Sequence, residues 1–300
     1  MKEIIRITFR LTLSCFLAAL VMGMTFIFTD KAKKDNEHHN VQTTMLGLLG
    51  YSSQNPAPKE LKLYSIYRYI IEEKGTTYLG YMVPVSNAGK ESYEFLKLSL
   101  DGKLEQRLPL NISLEKAAED AERQSVLKET LKTEKGFAYQ DSTVVARMGN
   151  QRLAYLLPGK FGGFKTHIKV ILSLNPQFDV LGLEIMEHEE DPGLGAEISQ
   201  NYFKNQFRNR SFERLKGLDV VKEPLPDEYR RYLDAPDKFS GEQLDTILTQ
   251  YRDKDIYALT GATISSRCVT DGVKNMAKRF AYRIKILDEA IASQKIPALI

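Results

Sequence analysis

Gly75-Thr76-Thr77-Tyr78-Leu79-Gly80-Tyr81-Met82-Val83-Pro84 is matched 74 residues later by Gly149-Asn150-Gln151-Arg152-Leu153-Ala154-Tyr155-Leu156-Leu157-Pro158. The match runs on without gaps. Gly89 falls on Gly163, Leu98-Ser99-Leu100-Asp101 on Leu172-Ser173-Leu174-Asn175, and Ile70-Ile71 on Val144-Val145, giving eight identities over residues 69–104. Each copy reads as β: an apolar run, a Gly- or Asn-bearing turn, a second apolar run ended by Pro, and a third apolar strand. Unbroken register and shared chemistry favour duplication over chance. Helical sequence follows each copy, Ser113 to Lys132 after the first and about Ile198 to Leu215 after the second. Ser113-Leu114-Glu115-Lys116 opens the first of these like an N-cap, and the charged run Glu115 to Lys135 reads as a solvated helix face. The expected fold is α+β, with two related β-meander-plus-helix halves at 60–135 and 142–286 and a tail at 287–300.

The copies diverge in ways that place a site in the second. Ser86-Asn87-Ala88-Gly89 is replaced by Lys160-Phe161-Gly162-Gly163, and paired glycines in a β unit mark a tight turn or a backbone that something approaches. Only the second copy continues into the strand-like Val180 to His188 and the loop Glu189-Glu190-Asp191-Pro192-Gly193-Leu194-Gly195. Further on, Leu259-Thr260-Gly261-Ala262-Thr263-Ile264-Ser265-Ser266-Arg267 crowds four hydroxyls at a turn. Val269, Val273, Met276, Phe280, Ile284, Leu287 and Ile291 then form one apolar helical stripe, a face for packing on the sheet. Free N–H groups and the positive end of a helix dipole favour an anion there. Taken alone, the same residues are read more simply as ordinary N-capping by Thr or Ser. His188 reads as a strand-end residue, with no titrating partner beside it.

The chain has 300 residues, 43% of them hydrophobic, and a net charge of +3. No basic block stands out, so nucleic acid is not an expected partner. Cys15 and Cys268, the two cysteines, are too few for an iron–sulfur cluster or a Cys-rich zinc site. The four histidines show no ligand spacing, so neither a metal nor a catalytic residue is expected. Leu11 to Thr29 runs nineteen residues without a charge, long enough to cross a bilayer. No small-x-small cleavage site follows it, so an uncleaved anchor is expected at 11–29, after a cytoplasmic tail at 1–10. A linker is expected at 30–59, polar over 30–40 and turn-rich over Ser52 to Pro58. Lys2, Arg6 and Arg10 before the span are nearly balanced by Lys31, Lys33 and Lys34 after it. The short N-terminal tail nonetheless favours a soluble region outside the cytoplasm.

Three elements then occur in a recognisable order: Gly162-Gly163, His188-Glu189-Glu190-Asp191-Pro192-Gly193-Leu194-Gly195, and Thr260-Gly261-Ala262-Thr263 followed by Ile264-Ser265-Ser266. Together, behind an anchor, they resemble the membrane-anchored flavoproteins of the Rnf and Nqr respiratory complexes, over about residues 142–280. The resemblance implies that the second half is an FMN-binding domain, with FMN joined through its phosphate to the Thr263 hydroxyl by a flavin transferase. Thr260 and Ser265 would then donate to the phosphate, and Gly261 and Ala262 would leave it space, next to Ile264. The loop with Glu190, Asp191, Leu194 and Gly195 would pack near the flavin, as would Phe161, Gly162 and Gly163. Asp191 stands where the family has Thr and either lowers the flavin potential or merely caps its turn. The function implied is a one-electron carrier in an ion-translocating ferredoxin:NAD oxidoreductase of the inner membrane, most like the G component of Rnf. Its domain would be periplasmic and its partners other membrane subunits. The C component of an Nqr-type sodium-translocating quinone reductase, a tethered flavin sensor and a cofactor-free assembly module are the alternatives. The first half lacks these motifs and is expected to be structural or subunit-binding.

Overall fold

The computed structural model describes residues 1–87, 89–132 and 136–300, in two units, Met1–Ser52 and Ser53–Ile300. Ala88 of the first-copy turn and Thr133 to Lys135 of the charged run lie outside the described residues. The first unit is one helix, α1 (Lys2–Leu48). Over Lys2–Phe26, 25 residues with mean hydropathy 1.9, it is long and apolar enough to cross a membrane. The polar linker expected at 30–40 is instead helical. No Pro or Gly interrupts Asp30 to Leu46, and Lys33 and Glu37, one turn apart, come within 3.8 Å. The helix stops at Gly50, whose φ of +87° suits glycine. There Tyr51 N–H bonds Leu46 O at 2.9 Å and Gly50 N–H bonds Gly47 O at 3.0 Å, a Schellman ending.

The second unit is built on β1 (Leu61–Glu73), β2 (Thr76–Asn87), β3 (Lys90–Leu98) and β4 (Leu104–Leu110), then α2 (Asp120–Leu131). A second set follows: β5 (Phe137–Met148), β6 (Gln151–Gly162), β7 (His167–Leu174) and β8 (Val180–Glu187). All eight strands form one antiparallel sheet in the order β4-β3-β2-β1-β5-β6-β7-β8. Each meander thus runs outward from a central β1–β5 pair, and the two halves share one sheet. The ungapped match, however, does not keep structural register through the third strand. The β2–β3 hairpin closes at Asn87–Lys90, whereas β6–β7 closes at Gly162–His167, two residues longer. Leu174 is therefore buried within β7, while its sequence match Leu100 lies 58% exposed beyond the end of β3.

Beyond β8 the continuous helix expected over 198–215 is broken. A 3₁₀ segment (Gly195–Ser199), α3 (Asn201–Lys204), another 3₁₀ turn (Asn205–Phe207) and α4 (Phe212–Lys216) replace it. Asn209 takes φ +60°, and Ser211 starts a fresh helix by accepting the Arg214 N–H at 3.3 Å. In the first half Ser113 accepts the Lys116 N–H at 3.3 Å, but that turn is 3₁₀ (Lys116–Ala118). Glu119 is extended before α2 begins. Then come β9 (Val220–Val221), α5 (Asp227–Asp234), α6 (Gly241–Tyr251), β10 (Ile256–Tyr257) and α7 (Thr263–Ser293). Tyr229, Tyr232, Tyr251 and Tyr257 pack together between α5, α6 and β10.

Alternation along β2 sends Tyr81, Val83 and Val85 to one face and Met82 to the other. Met82 packs with Tyr69, Tyr93, Phe95 and Leu127 of α2. The opposite face, in both halves, is covered by α7 through Val269, Val273, Phe280, Ile284 and Leu287, all buried. Helix α7 continues through Leu287 and Ala290, both core residues, to Ser293. The chain then hooks onto β2, with Ser86 N–H donating to Pro297 O at 3.0 Å and Leu299 N–H to Pro84 O at 2.8 Å.

One polar cluster joins β1, β5 and α7. Asp141 accepts from Arg68 Nε and Nη2 at 2.9 and 2.6 Å and from Arg283 Nη1 at 2.9 Å. Burial pushes its carboxyl up, but the bonds and charges of Arg68 and Arg283 outweigh that and leave it below the usual value. A folded-state pKa below the unfolded one stabilises above the unfolded value and is lost as pH falls through the folded value. Asp141→Asn should therefore cost about 1–3 kcal/mol at pH 7, a partly exposed charge cluster losing its anion. In chemical denaturation the deficit should shrink below about pH 4.

Candidate functional site

Three segments distant in sequence meet at Glu190, a residue only 5% exposed. A carboxylate so buried needs donors, and it has them. Oε1 accepts the Phe164 N–H at 2.8 Å and the Lys165 N–H at 3.2 Å, and Oε2 accepts the Ser265 hydroxyl. The longer β6–β7 turn supplies the two amides, α7 the hydroxyl. Glycine is required on both sides. A Cβ on Gly163 would overlap Oε1, and one on Gly195 would lie 2.7 Å from Ser265 Oγ and 2.8 Å from Oε2. His188 accepts the Glu190 N–H through Nδ1 at 3.3 Å, a turn role.

The loop after Glu190 folds onto the start of α7. Asp191 O accepts from Leu194 N–H at 3.1 Å and Ala196 N–H at 3.0 Å, with Gly193 at φ +72° between them. The Asp191 side chain pairs with Lys165 at 2.5 Å, both partly exposed. That hydrogen bond, with the Asp191 charge, raises the Lys165 pKa. Leu194, 46% exposed, reaches Gly261: a Cβ there would stand 2.9 Å from Leu194 Cδ2, and Gly261 has φ +75°.

At the start of α7 the N-cap is Ala262, and no side chain caps the helix. The capping role expected of a Thr or Ser is therefore not the one these hydroxyls play. Ser266, fully buried, instead accepts the Leu259 N–H at 3.0 Å and donates to Ala262 O at 3.0 Å, holding the turn. The opening N–H groups of a helix have no earlier intrahelical carbonyl, and α7 offers them no side-chain substitute. Thr263, its first residue, is half-buried beside exposed Ile264, and Thr260 is exposed.

From Thr263 a cleft of about 430 Å³ runs along α7, within the size range of small-molecule sites. Phe161, Gly162, Thr263 and Ile264 line it, together with Arg267, Cys268, Asp271, Gly272 and Asn275. The Phe161 ring lies on Gly272, where a Cβ would fall 2.5 and 2.6 Å from its two Cδ atoms. Burial, then the charges of Glu190 and Asp271, push the Cys268 thiol pKa up. Asp271 itself pairs with Lys274 at 2.9 Å.

Of the residues singled out in sequence, Phe161, Gly162, Thr263 and Ile264 line the cleft. Thr260, Gly261 and Ala262 form the turn that leads into Thr263, with Leu194 against Gly261. Gly163, Glu190, Gly195 and Ser265 lie beneath as the bracing. Ser265 is thus committed to Glu190 rather than turned to the cleft, and Asp191 faces Lys165. The cleft-lining residues Arg267, Cys268, Asp271, Gly272 and Asn275 are not among the site residues expected from sequence. Spacing of four and eight from Thr263, which repeats one helical face, was the signal for Arg267 and Asp271.

Residues 163–278 match the family of FMN-binding domains. Residues 163–278 are therefore similar to an FMN-binding domain. The chain is also 30% identical over 134 residues to the G component of the proton-translocating ferredoxin:NAD(+) oxidoreductase complex of Clostridium ljungdahlii. That match covers 45% of this chain and 57% of the relative, so the chain spans little more than half of its length. Among solved structures, NqrC of Shewanella oneidensis is similar with a TM-score of 0.33 and 15% identity, over 47% of this chain and 57% of that one. The C component of the Na(+)-translocating NADH-quinone reductase of Parabacteroides distasonis has a TM-score of 0.34 and 18% identity, over 69% and 74%. The chain resembles Rnf/Nqr-type FMN-binding subunits.

The residues present fit such a cofactor. An uncapped helix start beside hydroxyls and an arginine suits a phosphate, and Phe161, Ile264 and Leu194 suit an apolar ring. Two stability tests follow from residues 163–278. Gly272→Ala would ordinarily gain up to about 1 kcal/mol of helix propensity. Here the Phe161 ring reverses the sign, and a loss of about 1–3 kcal/mol is expected in denaturant titration, relieved in Phe161→Ala/Gly272→Ala. Glu190→Ala strips the acceptor from two amides and a hydroxyl and should cost about 2–4 kcal/mol, with Glu190→Gln costing less.

Proposed function

We propose that this chain is a membrane-anchored electron-transfer subunit that carries FMN covalently, through a phosphoester to Thr263. The observation that carries this reading is the position of that hydroxyl: on the first residue of an uncapped 31-residue helix, at the mouth of the cleft. A phosphoryl group there would meet the α7 N–H groups, with Thr260 within the same turn. Phe161, Ile264 and Leu194 would hold the ring. When bound, FMN supplies electron transfer in single steps, while the protein sets its orientation and potential. Similarity to the G component of the clostridial complex favours membership in an Rnf-like ferredoxin:NAD oxidoreductase over an Nqr-type complex. In that setting α1 spans the inner membrane, the FMN-binding domain lies on the periplasmic side, and the partners are the other membrane subunits and a flavin transferase.

Co-production of the full chain with a flavin transferase tests the attachment. Intact mass should rise by one FMN less one water, and the denatured band should fluoresce on a gel. Thr263→Val should abolish both, and Thr260→Val should retain the adduct. An unmodified native chain, or an adduct that survives in Thr263→Val, refutes the assignment.

A further inference from the structure

The proposed phosphoester leaves one negative charge at the start of α7, and a single cation at the cleft is positioned for it. Arg267 is exposed, lines the same cleft as Thr263, and has no ion-pair or hydrogen-bond partner for its side chain among the described residues. The other charged residue lining the cleft, Asp271, is engaged with Lys274 at 2.9 Å. Lys165, in the neighbouring turn, is engaged with Asp191 at 2.5 Å. Arg267 follows Thr263 by four residues, one helical turn, on the same face of α7. Side chains on a helix lean toward its N-terminus, so a residue four places on lies over the earlier one. The planar guanidinium fork matches two phosphate oxygens at once, which an ammonium cannot do.

Resting on the Thr263 attachment, we propose that Arg267 is the phosphate-binding residue of this site, pairing with the two free oxygens of the phosphodiester. It holds the phosphate end of the cofactor against the opening turn of α7, while the remainder extends toward Phe161. Arg267 is thereby a solvated, unpaired cation before flavin attachment and an ion-paired one after it.

The difference between the two states is the test, and it needs no enzymatic turnover. Full-length chain is prepared with and without co-produced flavin transferase, and intact mass establishes loading on Thr263. Each form is treated with phenylglyoxal, and modification of Arg267 is followed by peptide mapping. Loading should slow it about tenfold at low salt, as one charge-assisted pair would, and the protection should weaken in molar salt. In parallel, Arg267→Met should leave the melting temperature of unloaded protein unchanged. It should lower that of loaded protein by about 2–4 °C, with partial rescue by Arg267→Lys. Equal reactivity in the two forms, protection indifferent to salt, or equal melting shifts in both forms would overturn the pairing. If Arg267→Met cannot be loaded, the phenylglyoxal comparison on the native chain decides alone. Failure of the native chain to load on Thr263 refutes the attachment instead, and mass reads that before Arg267 is probed.

Discussion

The hydrogen bonds to the buried carboxylate of Glu190 are the constraint on which the site depends. The carboxylate of a residue 5% exposed would be expensive if left bare, so the chain around it is committed to supplying donors. The β6–β7 turn gives two amides and α7 gives a hydroxyl. Satisfying one anion therefore draws three sequence motifs to one point. The same contact explains why Gly163 and Gly195 carry no side chain. Ser265 thus points inward to Glu190, while Thr263, two residues earlier, lines the cleft.

The sheet beneath has its own logic. Two meanders joined edge to edge at β1 and β5 make one surface of eight strands, wide enough for α7 to cross both halves. The first half contributes none of the cleft-lining residues. It is nevertheless part of the same core, with Val83, Val85 and Leu96 in the cluster that includes Val273 and Ile284. Arg68, Asp141 and Arg283 add a polar tie among β1, β5 and α7.

Much of this was legible in the residues, and the misses have physical causes. The strands announced themselves through apolar alternation and Gly-bearing turns, and the long stripe from Val269 announced α7. Register is set by turn length, so an ungapped comparison could not register the two extra residues between Gly162 and His167. The charged stretch after the apolar span has the polarity of a linker, but with no helix breaker between Asp30 and Leu46 it continues α1. The break near Asn209 depends on a left-handed backbone that no apolar pattern signals. In the site, the three motifs were found by their order. Their division of labour was hidden, since which hydroxyl faces in and which faces out depends on a contact 75 residues away, between Ser265 and Glu190.

Helix α7 is 31 residues long, about 47 Å at the usual rise, and both of its ends are held by main-chain or buried contacts. Its last turn leads into the segment stitched to β2, while its first residue is the threonine at the cleft. A group attached at Thr263 as proposed would accordingly be tied, through the length of one helix, to the strand on which the chain ends.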